Sequence, residues 1–317
     1  MNSLTSQNVD KDVRNKMNNP IRQHLVPKLY LKNFAFQKKD QYKVYTLDKK
    51  TKKIFEANID DIAVEKHFYT VDKLENKYFW ETCYAEKIEP IMGATIQQVI
   101  KKSNLCVLQN HAHLLTDDLK SKLAFIMVFQ ILRGQHTRKY EETLFENLAP
   151  QILADIKERF TGTWNEALDK KLETFQFSED LFKLLVMDVS LNWDKISQYA
   201  EVLFMRSWLL YKIIDDTEFI TSDEPVLIMN RNSLDTTPFK NGIAKNSTVV
   251  FYPLSSKLLI ALYSPDTLFG ELQNYDGTLT YIDGDKERKF IQTINKKQLE
   301  HSYRQVYSCS KNGIEIL

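Results

Sequence analysis

The order of apolar and polar positions divides the chain into three zones. In the first, Lys43-Val44-Tyr45-Thr46-Leu47 alternates, Asp48-Lys49-Lys50-Thr51 is turn-like, and Lys53-Ile54-Phe55-Glu56-Ala57 resumes. Successive side chains of a strand face opposite ways, so this pattern predicts a β-hairpin. Ahead of it, His24 to Phe34 reads as a turn entering a short helix. Pro27 suits a first helical position, and Leu29, Leu31 and Phe34 follow at near-helical spacing.

The second zone, from about Asn76 to Asp215, reads as helical. Tyr84, Ile88, Met92, Ile96 and Ile100 recur every four residues behind Phe79, and Pro90 and Gly93 inside that run predict a kink or break. A second helix is expected from about Thr116 to Arg138, with Asp117 and Asp118 in its first turn, where acidic groups favour the helix dipole. Ile152–Phe160 and Leu181–Val189 predict shorter helices. Asn192–Tyr199 is ambiguous, and the apolar run Val202–Ile213 fits a buried strand.

The third zone is strand-rich: Phe219–Thr221, Val226–Met229, Thr248–Tyr252 and Leu258–Tyr263, with turn signals at Asp276-Gly277 and Asp283-Gly284. Lys286–Tyr303 then reads as a helix and Gln305–Cys309 as a closing strand. A hairpin, then helices, then strands predict an α+β fold, with a C-terminal antiparallel or mixed sheet. The expected organisation is a flexible arm over residues 1–19 and a single α+β domain over 20–317, helical at about 76–215 and strand-rich at about 216–317.

Composition narrows the function classes. The 43 basic and 42 acidic residues give a net charge of +1, so no whole-molecule field draws in nucleic acid, although local patches remain open. Three distant cysteines, Cys83, Cys106 and Cys309, form neither a disulfide framework nor a zinc spacing, which points to a reducing cytoplasm. No window approaches the roughly 18 uninterrupted apolar residues of a membrane span, and the polar start of the chain does not read as a secretory signal. With only 8 glycines, no glycine-rich nucleotide-binding fingerprint is present.

Three groups of residues carry candidate chemistry. His24, before a proline-started helix, is placed to bind an anion or to pass a proton, while Tyr30 and Phe34 beside it read more simply as core. Gln130, Arg133 and Thr137 share a face of a helix that is otherwise apolar almost all round. Arg133 is suited to a phosphate or carboxylate; the competing reading is an internal ion pair with Glu86, Glu89 or Asp223. Thr221-Ser222-Asp223-Glu224-Pro225 joins two apolar strands, so Asp223 is a candidate general base or metal ligand, or else part of a turn in which Ser222 and Asp223 bond nearby backbone. Weaker signals are Asp60-Asp61 with Glu65 and His67, a ligand-rich stretch whose spacing does not impose the convergence a metal site needs, and the pair His111 and His113 and the acidic Glu81, Glu86 and Glu89, read by default as solvated.

The set resembles a bacterial family known as domain of unknown function 4238. The resemblance rests on His24-Leu-Val-Pro-Lys-Leu-Tyr-Leu-Lys-Asn-Phe34, Phe68-Tyr69, Glu81 and Glu89, Gln130-Ile-Leu-Arg133, Phe219-Ile-Thr-Ser-Asp-Glu-Pro-Val226 and Pro253-Leu-Ser255. Two positions depart from it: Glu224 stands where a more neutral residue is expected, and Gly134 follows the arginine. The resemblance brings no established activity.

Two functional expectations result. In the first, polar groups converge on one cleft that binds an anionic, phosphate-bearing substrate, as in a nuclease or other phosphodiester-processing intracellular effector. His24, Asp223 and Glu89 would be catalytic; Arg133, Gln130, Ser222 and Tyr30 would hold substrate. Magnesium or manganese would be the natural cofactor, and nucleic acid or another phosphate-bearing ligand the partner. In the second, the protein is a non-catalytic binding or interaction protein, and the buried polar groups form a structural network.

Overall fold

The computed structural model describes residues 21–106, 110–160, 162–175, 178–265 and 270–317. The arm expected over residues 1–19 lies outside them. Chain order is β1 (Arg22–His24), α1 (Lys28–Leu31, continued by a 3-10 turn Lys32–Phe34), β2 (Phe36–Lys38), β3 (Gln41–Asp48), β4 (Lys53–Asn58) and β5 (Val64–Lys66). Next come α2 (Phe79–Cys83), a π-helical turn (Tyr84–Ile88), α3 (Glu89–Leu105), β6 (Ala112–His113), α4 (Asp117–Leu132), α5 (Gln135–Arg159), α6 (Glu166–Glu173), α7 (Glu179–Ser190) and α8 (Trp193–Phe204). The remainder is β7 (Ser207–Ile213), β8 (Thr221–Ser222), β9 (Leu227–Asn230), β10 (Thr248–Ser255), β11 (Leu258–Tyr263), β12 (Thr278–Ile282), α9 (Arg288–His301), β13 (Gln305–Ser308) and α10 (Asn312–Glu315). The fold is α+β.

One sheet has the order β6-β12-β7-β11-β10-β9, antiparallel except for the parallel pair β12–β7. A second joins the hairpin β3–β4 to the C-terminal β13 and to β8, with Tyr307 opposite both Thr46 and Thr221. Strand alternation in β10 splits the interior. Val250, Tyr252 and Leu254 face a large core shared with α3, α4 and α8, while Val249 and Phe251 face a smaller one closed by Ile291 and Ile294 of α9. Helix α4 is enclosed on most sides, with ten of its sixteen residues buried, which is why its sequence shows so little amphipathic bias.

The helical middle departs from its expected course in five places. The helix expected over Thr116–Arg138 stops at Leu132: Arg133 is still near-helical, but Gly134 is extended (φ −76°, ψ 160°), and α5 starts afresh at Gln135. Helix α5 then absorbs the short helix expected at Ile152–Phe160. The irregularity expected at Pro90 and Gly93 falls earlier, in the π turn, which runs without a break into α3, where Pro90 is the second residue. Helix α8 runs to Phe204 before the buried strand opens at Ser207, and His113 lies in a strand rather than a polar loop.

Candidate functional site

The break between α4 and α5 sets two groups of buried polar side chains back to back. On the first side is Arg133, 2% exposed. Its Nε donates to the Tyr69 hydroxyl at 3.2 Å, its Nη1 to Glu89 Oε1 at 3.2 Å, and its Nη2 to the carbonyl of His24. The guanidinium also lies over the Tyr84 ring, 4.6 Å from its centroid. Each nitrogen of the planar fork thus donates one hydrogen bond inside the protein.

The π turn helps to assemble this group. In a regular helix, residues eight apart are turned by about 80° from one another; the wider turn at Tyr84–Ile88 removes much of that offset, and Glu81 and Glu89 both act on Arg133. Burial, opposed by Arg133 and aided by Glu89, raises Glu81 to about 7. His24 contributes its backbone in β1, paired with Val64 of β5, and burial beside Lys28 and Arg133 lowers its imidazole to about 4.

On the second side lies the Ser222-Asp223-Glu224 segment. Ser222 Oγ accepts from the amide of Glu224 at 3.0 Å and from Gln298 Nε2 at 2.6 Å, the local turn expected of this sequence. Asp223 behaves differently. Its carboxylate accepts three remote amides, Tyr303 at 2.9 Å, Arg304 at 2.7 Å and Gln305 at 2.8 Å, and so ties the end of α9 to β13. Burial raises it to about 6, against the pull of those amides.

Glu224 reaches the other way, to the start of α5. A helix leaves its first amides without partners, and α5 has no capping side chain of its own. Glu224 Oε1 fills that role, accepting the His136 amide at 2.8 Å. Gly134 makes room for it: a Cβ there would lie 2.2 Å from Glu224 Oε2. Gly134 and Glu224 are therefore one feature, since the carboxylate occupies the space that the glycine leaves. Burial and the neighbouring Asp223 raise Glu224 to about 8.

Beside this carboxyl opens a cavity of about 340 Å³, in the size range of small-molecule sites. Val128, Gln130 and Leu132 of α4, His136, Thr137 and Tyr140 of α5, Val226 and Ile228, the 237–243 loop and His301 line it. His136 Nε2 lies 2.7 Å from the carbonyl of His301, and His301 Nδ1 lies 3.2 Å from that of Thr236. A carbonyl only accepts, so in each ring that nitrogen is assigned the proton, which leaves Nδ1 of a neutral His136 as an acceptor. Burial lowers both imidazoles, His301 to about 4. At neutral pH that end of the cavity therefore holds two neutral imidazoles and the Glu224 carboxyl, whose proton is held above the ordinary carboxylate range, and Glu141 adds a second carboxyl to the lining.

The residues singled out in the sequence do not meet in one concavity. His24, Glu89 and Arg133 come together; Ser222 and Asp223 are bound into the α9–β13 connection. Tyr30 is fully buried, its hydroxyl donating to the Pro253 carbonyl at 2.6 Å and lying 2.8 Å from Thr221 Oγ1, its ring stacked on Tyr252. Of the seven, Gln130 alone lines the cavity, its Nε2 donating to the Leu25 carbonyl at 3.1 Å. Asp60 and Asp61 form exposed ion pairs with Lys28 and Arg22. Among the described residues no cluster of three His, Cys, Asp or Glu side chains is arranged to hold a metal ion, and no helix is long and apolar enough to cross a membrane. Sequence reasoning missed His136 and His301 as site residues; nothing in their local pattern marks them. Glu224 left a trace as an unexpected acid paired with an unexpected glycine.

A family profile described as "Protein of unknown function (DUF4238)" matches residues 22–312, nearly the whole chain. The chain belongs to this family. No curated protein and no solved structure gives a match. Both sides of the α4–α5 break lie within the matched span.

Proposed function

We propose that the protein is a binding protein, and that the cavity beside Glu224 takes a small, uncharged molecule with an apolar or aromatic body and one hydrogen-bonding end. The observation that carries this reading is a contrast in commitment. Each guanidinium nitrogen of Arg133 and both carboxylate oxygens of Asp223, the groups best suited to phosphate chemistry, already bond protein atoms. Glu224, His136 and His301 instead border open volume. A phosphate would need a cation at hand, and the groups bordering the cavity are carboxyls, imidazoles, hydroxyls, amides and apolar side chains. The Arg133 network then serves the fold, docking β1 and the π turn onto the end of α4.

Ligand-observed NMR with phenol and indole, using benzoate and inorganic phosphate as anionic comparisons, tests this. The neutral probes bind saturably, the anions do not, and Ile228→Trp, which enlarges a wall residue, abolishes binding. Labelled RNA and DNA stay intact with magnesium or manganese. Cleavage that is lost in folded His24→Ala and Asp223→Ala variants would overturn the reading in favour of a phosphodiester-processing enzyme.

A further inference from the structure

The cavity beside Glu224 is unequally supplied with donors and acceptors. Its hydroxyl and amide donors are engaged with the protein. Thr137 Oγ1 donates to the Ile131 carbonyl at 2.6 Å and Thr237 Oγ1 to Asp235 Oδ1 at 2.6 Å. Asn241 Nδ2 donates to the Asp235 carbonyl at 2.7 Å, and Gln130 Nε2 to the Leu25 carbonyl. A hydroxyl has one hydrogen to give, so both threonines keep acceptor capacity alone, while each amide keeps a single N–H. Acceptors are left over. Gln130 Oε1 is buried and has no partner. The His136 ring directs Nε2 at the His301 carbonyl, and among the described residues no donor reaches its Nδ1. Glu141 adds a half-buried carboxyl to the lining. The hydroxyls of Tyr140 and Tyr199, two exposed residues, serve either role and do not shift the balance.

We propose that the ligand of this cavity is a neutral N–H or O–H donor, such as a phenol or an indole, and that His136 Nδ1 accepts its hydrogen bond. The inference rests on the cavity being the ligand site, and it fixes the sign of the ligand's polar end. Glu224 fits a donor in either protonation state, since a carboxylate accepts and a carboxyl both accepts and donates. It also lies next to the proposed acceptor, because its Oε1 takes the backbone amide of the same His136 at 2.8 Å. A molecule whose polar end only accepts, such as an ether, an ester or an aza-aromatic ring, sets its lone pair against that of Nδ1. The imidazole is then buried without a donor, and a site that loses a hydrogen bond in this way rejects the analogue by more than the lost contact alone. His136 is therefore a specificity-determining residue, and the apolar wall of Val226 and Ile228 takes the body of the ligand without regard to its polar end.

Indole and benzofuran test the assignment, because they share one bicyclic shape and differ in carrying an N–H or an ether oxygen. Each is titrated against the full chain by ligand-observed NMR. Indole binds about tenfold more tightly, the net worth of one hydrogen bond, and its N–H resonance moves downfield in the complex. His136→Phe keeps a ring and the backbone amide that Glu224 accepts, but has no ring nitrogen. In this variant, at a temperature where it remains folded, indole weakens to the affinity of benzofuran and the downfield shift disappears. The wild-type ratio of the two probes stands whether or not the variant folds. Benzofuran binding the wild type as tightly as indole overturns the inference and leaves the cavity as a ligand site. A preference for indole that survives in folded His136→Phe overturns the role of Nδ1. Binding of neither probe removes the cavity reading and this inference with it.

Discussion

The two sides of the α4–α5 break use the same kinds of side chain to opposite ends. Around Arg133 a cation, two carboxyl groups and two tyrosines are folded in on one another, and each nitrogen of the strongest donor bonds a protein atom. Around Glu224 a carboxyl and two imidazoles are as deeply placed, yet they border a cavity. Buried polar groups mark function only where some bonding capacity faces open space; where partners fill it, they mark a joint in the fold.

The sharpest way to break the comparison is Arg133→Ala. Removing one partner of a buried, paired charge is expected to cost about 3–5 kcal/mol, read as a lower denaturant midpoint. Binding of phenol at a temperature where the variant remains folded should be unchanged; selective loss of binding with full stability would make Arg133 part of the site. Asp223→Ala comes next. It leaves three amides without their acceptor, for a loss of about 3 kcal/mol, and increased amide exchange at Tyr303 to Gln305 locates it. A wild-type melting curve for this variant would mean that the α9–β13 tie is dispensable.

Gly134→Ala tests the other side. Its Cβ would overlap the Glu224 carboxyl, so a loss of about 1–3 kcal/mol is expected, and Glu224→Ala should reduce that loss in the double variant. Additive single effects would show that the glycine serves some other purpose.

The smallest expected effect is a pH slope. Glu224 binds its proton more tightly folded, at about 8, than its ordinary 4.5. Its stabilising share is therefore complete below about 4.5 and is lost as pH rises through 8. Glu81, raised to about 7, runs the same way, whereas His24 and His301, lowered to about 4, raise stability with pH only up to about 6.5. Between pH 7 and 8 the melting temperature should fall with rising pH, and Glu224→Gln should flatten that fall. An unchanged slope in the variant would assign it to another group.

Much of the architecture was legible in the sequence, because periodicity reports directly on which face is buried. The β3–β4 hairpin, helix α9 and the strands from β9 to β11 lie close to their expected positions. The α4–α5 break was less visible, since an apolar run merges into the four-residue row of α5 and a glycine preceded by arginine gives no strong stop. For the site, the sequence supplied the alternatives and not the choice between them. The ion pair of Arg133 with Glu89 is one of three that the sequence allows, and the turn at Ser222 is among its expectations. The remote amides taken by Asp223 had no local signature at all.

By itself the sequence determined the element order, the α+β class and which polar residues would be costly to bury. Tertiary structure decided which of those costs were met and by what. The deciding partners are largely backbone atoms: the His24 carbonyl for Arg133, the amides of 303–305 for Asp223, the first amides of α5 for Glu224. Every residue but proline carries the same amide and carbonyl, so nothing in a sequence distinguishes the ones that folding will bring to a given side chain.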